Sequence, residues 1–101
     1  PIFVDIDKKN WCIHPEKIKE AITQNTKAIM AVHIYGNMCD MDKLFSISEE
    51  FDIPIIEDSA EAIGSEWNSK KAGSMGSFGT FSFFCFNKNS RKDNFIFSQE
   101  D

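Results

Sequence analysis

Two adjacent carboxylates and one lysine have the types and the setting for chemistry in this chain. Glu57 and Asp58 close an apolar run, Ile53 to Ile56, and small residues and a third acid, Glu61, follow them in IIEDSAEAIGS. Acids in this place have two uses. They can sit at the N-terminus of a following helix, against the positive end of its dipole. They can also lie at the carboxyl end of a parallel strand, where α/β sheets bind ligands, and hold a cationic ring nitrogen or a metal there. Lys88 comes after an aromatic run, GTFSFF. A lysine in that position is usually solvated surface, but its amine is also the nucleophile of imine chemistry. Ser82, inside the same run, is a hydroxyl among aromatics, the ordinary setting for a bond to backbone. His33 and Tyr35, in VHIYG, fall at the end of another apolar run; the histidine is either a satisfied core group or a ligand-facing one.

The elements that must position these residues follow from periodicity. IFVDI, residues 2 to 6, reads as a short strand. His14-Pro15 opens a helix with proline at its first position, and Ile18, Ala21 and Ile22 give that helix an apolar stripe. KAIMAVHI, residues 27 to 34, is nearly continuous apolar sequence, as in a strand buried on both faces. Asp40 can cap a second helix with Met41, Leu44, Phe45, Ser48 and Phe51 on one face. Ile53 to Glu57 is the next strand. The order β-α-β-α-β predicts an α/β fold, a mainly parallel sheet with flanking helices. Ile29, Met30, Val32, Ile55 and Ile56 are then expected in the core. Ala60 to Ile63 predicts a short helix, Glu66 to Met75 a loop or hairpin, and Gly79 to Phe84 a strand. From Asn87 the chain turns polar.

Composition sets the outer bounds. The chain has 101 residues, 42% of them hydrophobic and 10 of them Phe, enough for a core. Its formal net charge is −5, from 16 acids and 11 bases, which argues against nucleic acid because phosphate binding needs a basic face. No apolar run approaches a membrane span, and no signal peptide is visible. Cys12, Cys39 and Cys85 are odd in number and widely spaced, form no metal motif, and fit reduced thiols in the cytoplasm. The glycine patterns of dinucleotide and P-loop sites are absent. The opening on Pro1, directly into a strand-like run, suggests a piece of a longer protein.

Asp58 and Lys88 say more together than apart. Pyridoxal 5'-phosphate (PLP) chemistry uses this pair: a lysine that carries the cofactor as an imine, and an acid that keeps its ring nitrogen protonated. From Phe3 to about Lys88 the chain resembles the DegT/DnrJ/StrS family of PLP-dependent sugar aminotransferases. FVDID, HPEKIKEAIT and TKAIMAVHIYGNMCDMDKL resemble the early part of that family's large domain. IIEDSAEAIGSEWNSKKAGSMGSFGTFSFF resembles its cofactor strand and the approach to the lysine, and EDSAEAIGS is similar to enzymes of the perosamine-synthase type.

The resemblance implies residues 1–88 as part of the large domain of a fold-type I PLP-dependent transferase. Within it Asp58 would pair with the ring nitrogen, Ala60 would pack on the ring face, and Glu61 would lie near the phenolic oxygen. Ser82 would bind the phosphate, and Lys88 would carry the cofactor. It implies transfer of an amino group from an amino acid, glutamate being the expected donor, to a keto-sugar nucleotide, by a homodimer in full-length form. The likeness ends abruptly. Four residues, Phe84 to Asn87, separate FSF from Lys88 where the family has three. Residues 89–101, NSRKDNFIFSQED, replace the expected glycine-rich stretch and are expected to be a divergent tail without order. The alternative reading is a truncated, catalytically inactive fragment of such an enzyme.

Overall fold

A computed structural model describes residues 1–82 and the backbone of 94–98. The predicted β-α-β-α-β order is present. Helix α1 (Pro15–Ala21) begins with proline in its first turn after His14. Strand β1 (Ile29–Val32) follows, then α2 (Met41–Phe51) and β2 (Ile55–Asp58). A two-stranded antiparallel hairpin, β3 (Glu66–Trp67) and β4 (Lys70–Lys71), leads to β5 (Phe78–Ser82). Strand β6 (Asn94–Ser98) completes a four-stranded sheet of order β1-β2-β5-β6. β1, β2 and β5 are parallel, and β6 runs antiparallel to β5.

α2 is well signposted. Asp40 accepts the Lys43 N–H at 3.1 Å as a side-chain cap. At the other end Asp52 takes the left-handed conformation that closes many helices (φ 52°), and the Ile53 N–H returns to the Ser48 carbonyl at 3.0 Å. Its inner face is Met41, Leu44 and Ile47, all buried, with Phe45 beside them. Phe51, expected on that face, is 38% exposed, because the helix has turned it past the core edge. Ile18 of α1 joins Met41, Leu44 and Ile47 of α2 and Ile29, Ala31 and Ile55 of the sheet in one cluster, with Ile22 packed against it. Both helices therefore cover the same face of the sheet.

That arrangement corrects the expectation of strands buried on both sides. Along β1 and β2, Ile29, Ala31, Ile55 and Glu57 are buried, while the alternate positions are open or half-buried. Met30, expected in the core, is 56% exposed, and Val32 and Ile56 are half-buried. Met30, Ile56 and Phe78 stand in register across three strands and form an apolar row on the face without helices.

Three further expectations differ from the structure. Residues 2–6 do not form a strand; only Ile6 makes an isolated bridge, to Ile13. Asp5 and Asp7 accept the N–H groups of Ile6 and Lys9 at 2.8 Å each, a local competition that removes ladder donors. Residues 60–63 form turns, not a helix, through Ala62 N–H to Ser59 and Ser65 N–H to Ala62. Within 89–101, expected to be without order, the β-rich NFIFS segment is strand β6. No helix among the described residues is long and apolar enough to cross a membrane.

The Met30–Ile56–Phe78 row generates a solution prediction. The isolated chain should self-associate as its concentration rises, because the described residues leave this apolar row uncovered. Met30→Lys should weaken that association in sedimentation velocity without lowering the urea midpoint. A chain that stays monomeric at every concentration would contradict this.

Candidate functional site

The carboxyl edge of β2 is organised by alternation. Glu57 and Asp58 are neighbours in sequence, so a strand sends their side chains to opposite faces. Glu57 turns inward under the helices and is fully buried. Asp58 turns to the other face, in register with Val32 of β1 and Thr80 of β5.

A buried carboxylate needs hydrogen-bond donors, and Glu57 has four. Oε2 accepts from the Gly73 N–H at 2.7 Å and from His33 Nε2 at 3.0 Å. Oε1 accepts from the Met75 N–H at 2.6 Å and from the Gly76 N–H. The His33 tautomer follows from its other partner. The Cys39 N–H donates to Nδ1 at 3.1 Å, so Nε2 carries the hydrogen that goes to Glu57. One carboxylate thus joins β1, β2, the start of α2 and the 73–76 loop that feeds β5. Burial pushes the Glu57 pKa up. The His33 hydrogen bond and the Gly76, Gly73 and Met75 amides outweigh it and hold the group below its ordinary value of 4.5.

The same loop packs hard against β5. A β-carbon on Gly79 would overlap the Gly73 carbonyl, and Gly73 itself has φ +82°, so both positions need glycine. The loop therefore sets the height of β5 relative to β2, and with it the place where Ser82 emerges.

The residues expected to bind the cofactor lie as follows. Asp58 is at the end of β2, half-buried, with Oδ1 accepting the Ala60 N–H at 3.1 Å. No helix follows, so the helix-dipole reading of the two acids does not apply here. Glu61 is exposed, and its Oε2 accepts the Tyr35 N–H at 3.2 Å, tying the turn after β2 to the turn after β1. Ser82 ends β5, two residues beyond Thr80 and on the same side of the strand as it. Lys88 lies outside the described residues. Asp58, Ala60, Glu61 and Ser82 therefore share the carboxyl edge of two neighbouring parallel strands. Ser59, between Asp58 and Ala60, is fully buried, and its hydroxyl has no hydrogen-bond partner among the described residues. An acid, small residues and hydroxyls on one strand edge are a donor set that suits a cationic ring bearing a phosphate.

His33 is buried and committed to Glu57, which selects the core reading over the ligand-facing one. Glu57 is the residue that sequence reasoning passed over. Its signal was the doublet itself, since two adjacent acids at a strand end must divide between the faces. No group of three or more metal-ligating side chains occurs among the described residues. A cleft of about 490 Å³ lies elsewhere, lined by Val4, Ile18, Ile22 and Ile29 with Thr23 and Asn25 among others, and includes none of the strand-end residues.

The fold is α/β, and this edge is the carboxyl edge at which sheets of that class bind ligands. The chain belongs to the DegT/DnrJ/EryC1/StrS aminotransferase family, whose pattern matches residues 1–89. It is similar to the GDP-perosamine synthase of Caulobacter vibrioides, 44% identical over 84 residues, which are 83% of this chain and 23% of that protein. Among solved structures it is similar to the aminotransferase from Psychrobacter cryohalolentis, with TM-score 0.80 and 37% identity over 82% of this chain and 21% of that one. It is also similar to the E. coli GDP-4-keto-6-deoxy-D-mannose-3-dehydratase with bound hydrated PLP, with TM-score 0.75 and 44% identity over 81% of this chain and 21% of that one. The chain thus spans less than a quarter of the length of these relatives.

The Glu57 knot makes two predictions. Glu57→Gln puts an amide where four donors converge and should cost about 3 kcal/mol, as removal of one partner from a buried pair does; urea denaturation measures it. Because the folded pKa of Glu57 is below the unfolded one, its contribution is fully present above about pH 4.5 and is lost as pH falls through the folded pKa. Stability measured from pH 7 down to pH 3 should fall less steeply in Glu57→Gln than in the parent chain.

Proposed function

We propose that this chain forms part of the PLP site of a cytoplasmic nucleotide-sugar aminotransferase, one that moves an amino group from an amino acid, glutamate by preference, to a keto-sugar nucleotide. The observation that carries the reading is the meeting of Asp58, Ala60, Glu61 and Ser82 on the carboxyl edge of β2 and β5, in a family of PLP-dependent enzymes. PLP, when bound, supplies the electron sink that amino-group transfer requires. The chain's own residues would supply part of what holds it. Asp58, with one oxygen steadied by the Ala60 N–H, holds a proton on the cationic ring nitrogen. Ala60, having no bulk, leaves room for the ring face. Ser82 donates its hydroxyl to the phosphate, and Glu61 stands by the phenolic oxygen. Lys88 would hold the cofactor, and its Nζ would move the substrate proton. The full-length protein works as a homodimer in this reading.

A second reading has specific support. Because the chain spans less than a quarter of its relatives' length, it can be catalytically silent by itself. One experiment addresses both. The protein is mixed with PLP, reduced with borohydride, dialysed, and mapped by peptide mass. A stoichiometric adduct on Lys88, abolished by Asp58→Ala, is the result expected of a working site. Adducts scattered over Lys70, Lys71 and Lys92 would be surface chemistry, and would leave the silent reading standing.

A further inference from the structure

Away from the strand-end site, two cysteines distant in sequence share one pocket of the core. Cys12 is 1% exposed and Cys39 is fully buried, and both belong to the cluster between the helices and the sheet. Asn10 brings their backbones together. Its side-chain nitrogen donates to the Met38 carbonyl at 3.2 Å, and its Oδ1 accepts the Cys12 N–H at 3.0 Å. The Cys12 sulfur lies 3.6 Å from the Asn37 carbonyl oxygen, and the Cys39 sulfur lies 3.3 Å from that of Val32. The Cys12 sulfur thus lies against the turn that carries Cys39, and each thiol is close enough to shift the other's ionisation.

We propose that Cys12 and Cys39 form a thiol-oxidation site, closing reversibly to a disulfide that fastens the 7–13 loop to the segment between β1 and α2. The thiols divide the labour. The neighbouring Cys39 side chain draws the Cys12 thiol pKa down, against burial and the Asp7 carboxylate, with help from the Ile34 backbone and His33. The Cys12 side chain, with burial, pushes Cys39 up. Cys12, beside the exposed Trp11, is the thiol that an oxidant meets first and so the attacking one, and Cys39 is the resolving thiol. Access is local. Trp11, next to Cys12, is 59% exposed on a turn closed by its N–H to the Asp7 carbonyl, so opening that turn admits a small oxidant without parting the sheet.

With hydrogen peroxide as oxidant the steps balance. The Cys12 thiolate attacks one peroxide oxygen, the O–O bond breaks, and the departing hydroxide takes a proton to become water. Cys39 then attacks the sulfur of the resulting sulfenic acid. The S–O bond breaks, the S–S bond forms, and the hydroxyl leaves as a second water with the Cys39 proton. Two thiols lose two electrons in all, and one peroxide becomes two waters. The bond would also act on the strand-end knot. Cys39 supplies the N–H that holds His33 Nδ1, and His33 holds Glu57, so the disulfide steadies the donor side of that chain of contacts.

The test uses the whole chain. Native protein is treated with dilute hydrogen peroxide, its free thiols are blocked, and it is digested with trypsin without reductant. Cys12 falls in peptide 10–17, Cys39 in 28–43 and Cys85 in 72–88, so the map separates every pairing. The expected result is a 10–17/28–43 link that dithiothreitol reverses, that forms faster in native protein than in urea, and that raises the urea midpoint. In Cys12→Ser, Cys39 should stay reduced under the same dose. The proposal is overturned if Cys85 supplies the link, if Cys12 goes to higher acids while Cys39 stays free, if the link forms only in urea or lowers the midpoint, or if Cys39 oxidises equally fast in Cys12→Ser.

Discussion

One buried carboxylate decides how the pieces of this chain meet. Glu57 takes donors from β1 through His33 and from the loop before β5 through Gly73, Met75 and Gly76. Hydrogen bonds to a charged acceptor are stronger than neutral ones, and each donor here would be costly to leave buried and unpaired. The contacts are mutually dependent. Gly73 must be glycine for the loop to turn, and Gly79 must be glycine for the loop to lie on the strand. The strand-end residues inherit their positions from this knot, because β2 and β5 cannot shift against each other while it holds.

Much of the frame was legible because simple physical codes wrote it. Asp40 and the Met41, Leu44 pattern announce α2, and the apolar run at 53–56 announces β2. Those signals are local, and the structure keeps them. Other features depend on partners that periodicity does not reveal. Ile2 to Ile6 has strand composition, yet Asp5 and Asp7 turn the backbone on itself. Met30 is apolar and lies in a parallel strand, but both helices pack on the other face. Nothing in KAIMAVHI says which face a helix will choose. At the strand end, Asp58 stood out through its place at the close of an apolar run and its combination with Lys88. Glu57 did not, because its importance rests on three amides far along the chain, and amides carry no side-chain signature.

The sheet has two unequal faces. Beneath the helices, apolar side chains surround one saturated polar knot. On the other side, Met30, Ile56 and Phe78 form an apolar row, and Val32, Asp58 and Thr80 the next polar-edged row toward the carboxyl ends. Stability is concentrated on the first face, where burial is complete. The chemistry assigned to Asp58 and Ser82 belongs to the second, where the strand ends remain open to a ligand.

The alternation of Glu57 and Asp58 also limits how this segment can change its length. A strand side chain returns to the same face every second residue. Inserting or deleting one residue within β2 would exchange the two acids, sending the anchor outward and the outward acid into a socket of donors shaped for a longer side chain. A change of two residues would keep the faces but move both acids along the strand, out of line with His33 and Thr80. No small insertion or deletion inside β2 preserves both roles. Length variation should therefore stay out of β2 and gather at exposed turns such as Asn68 and Ser69.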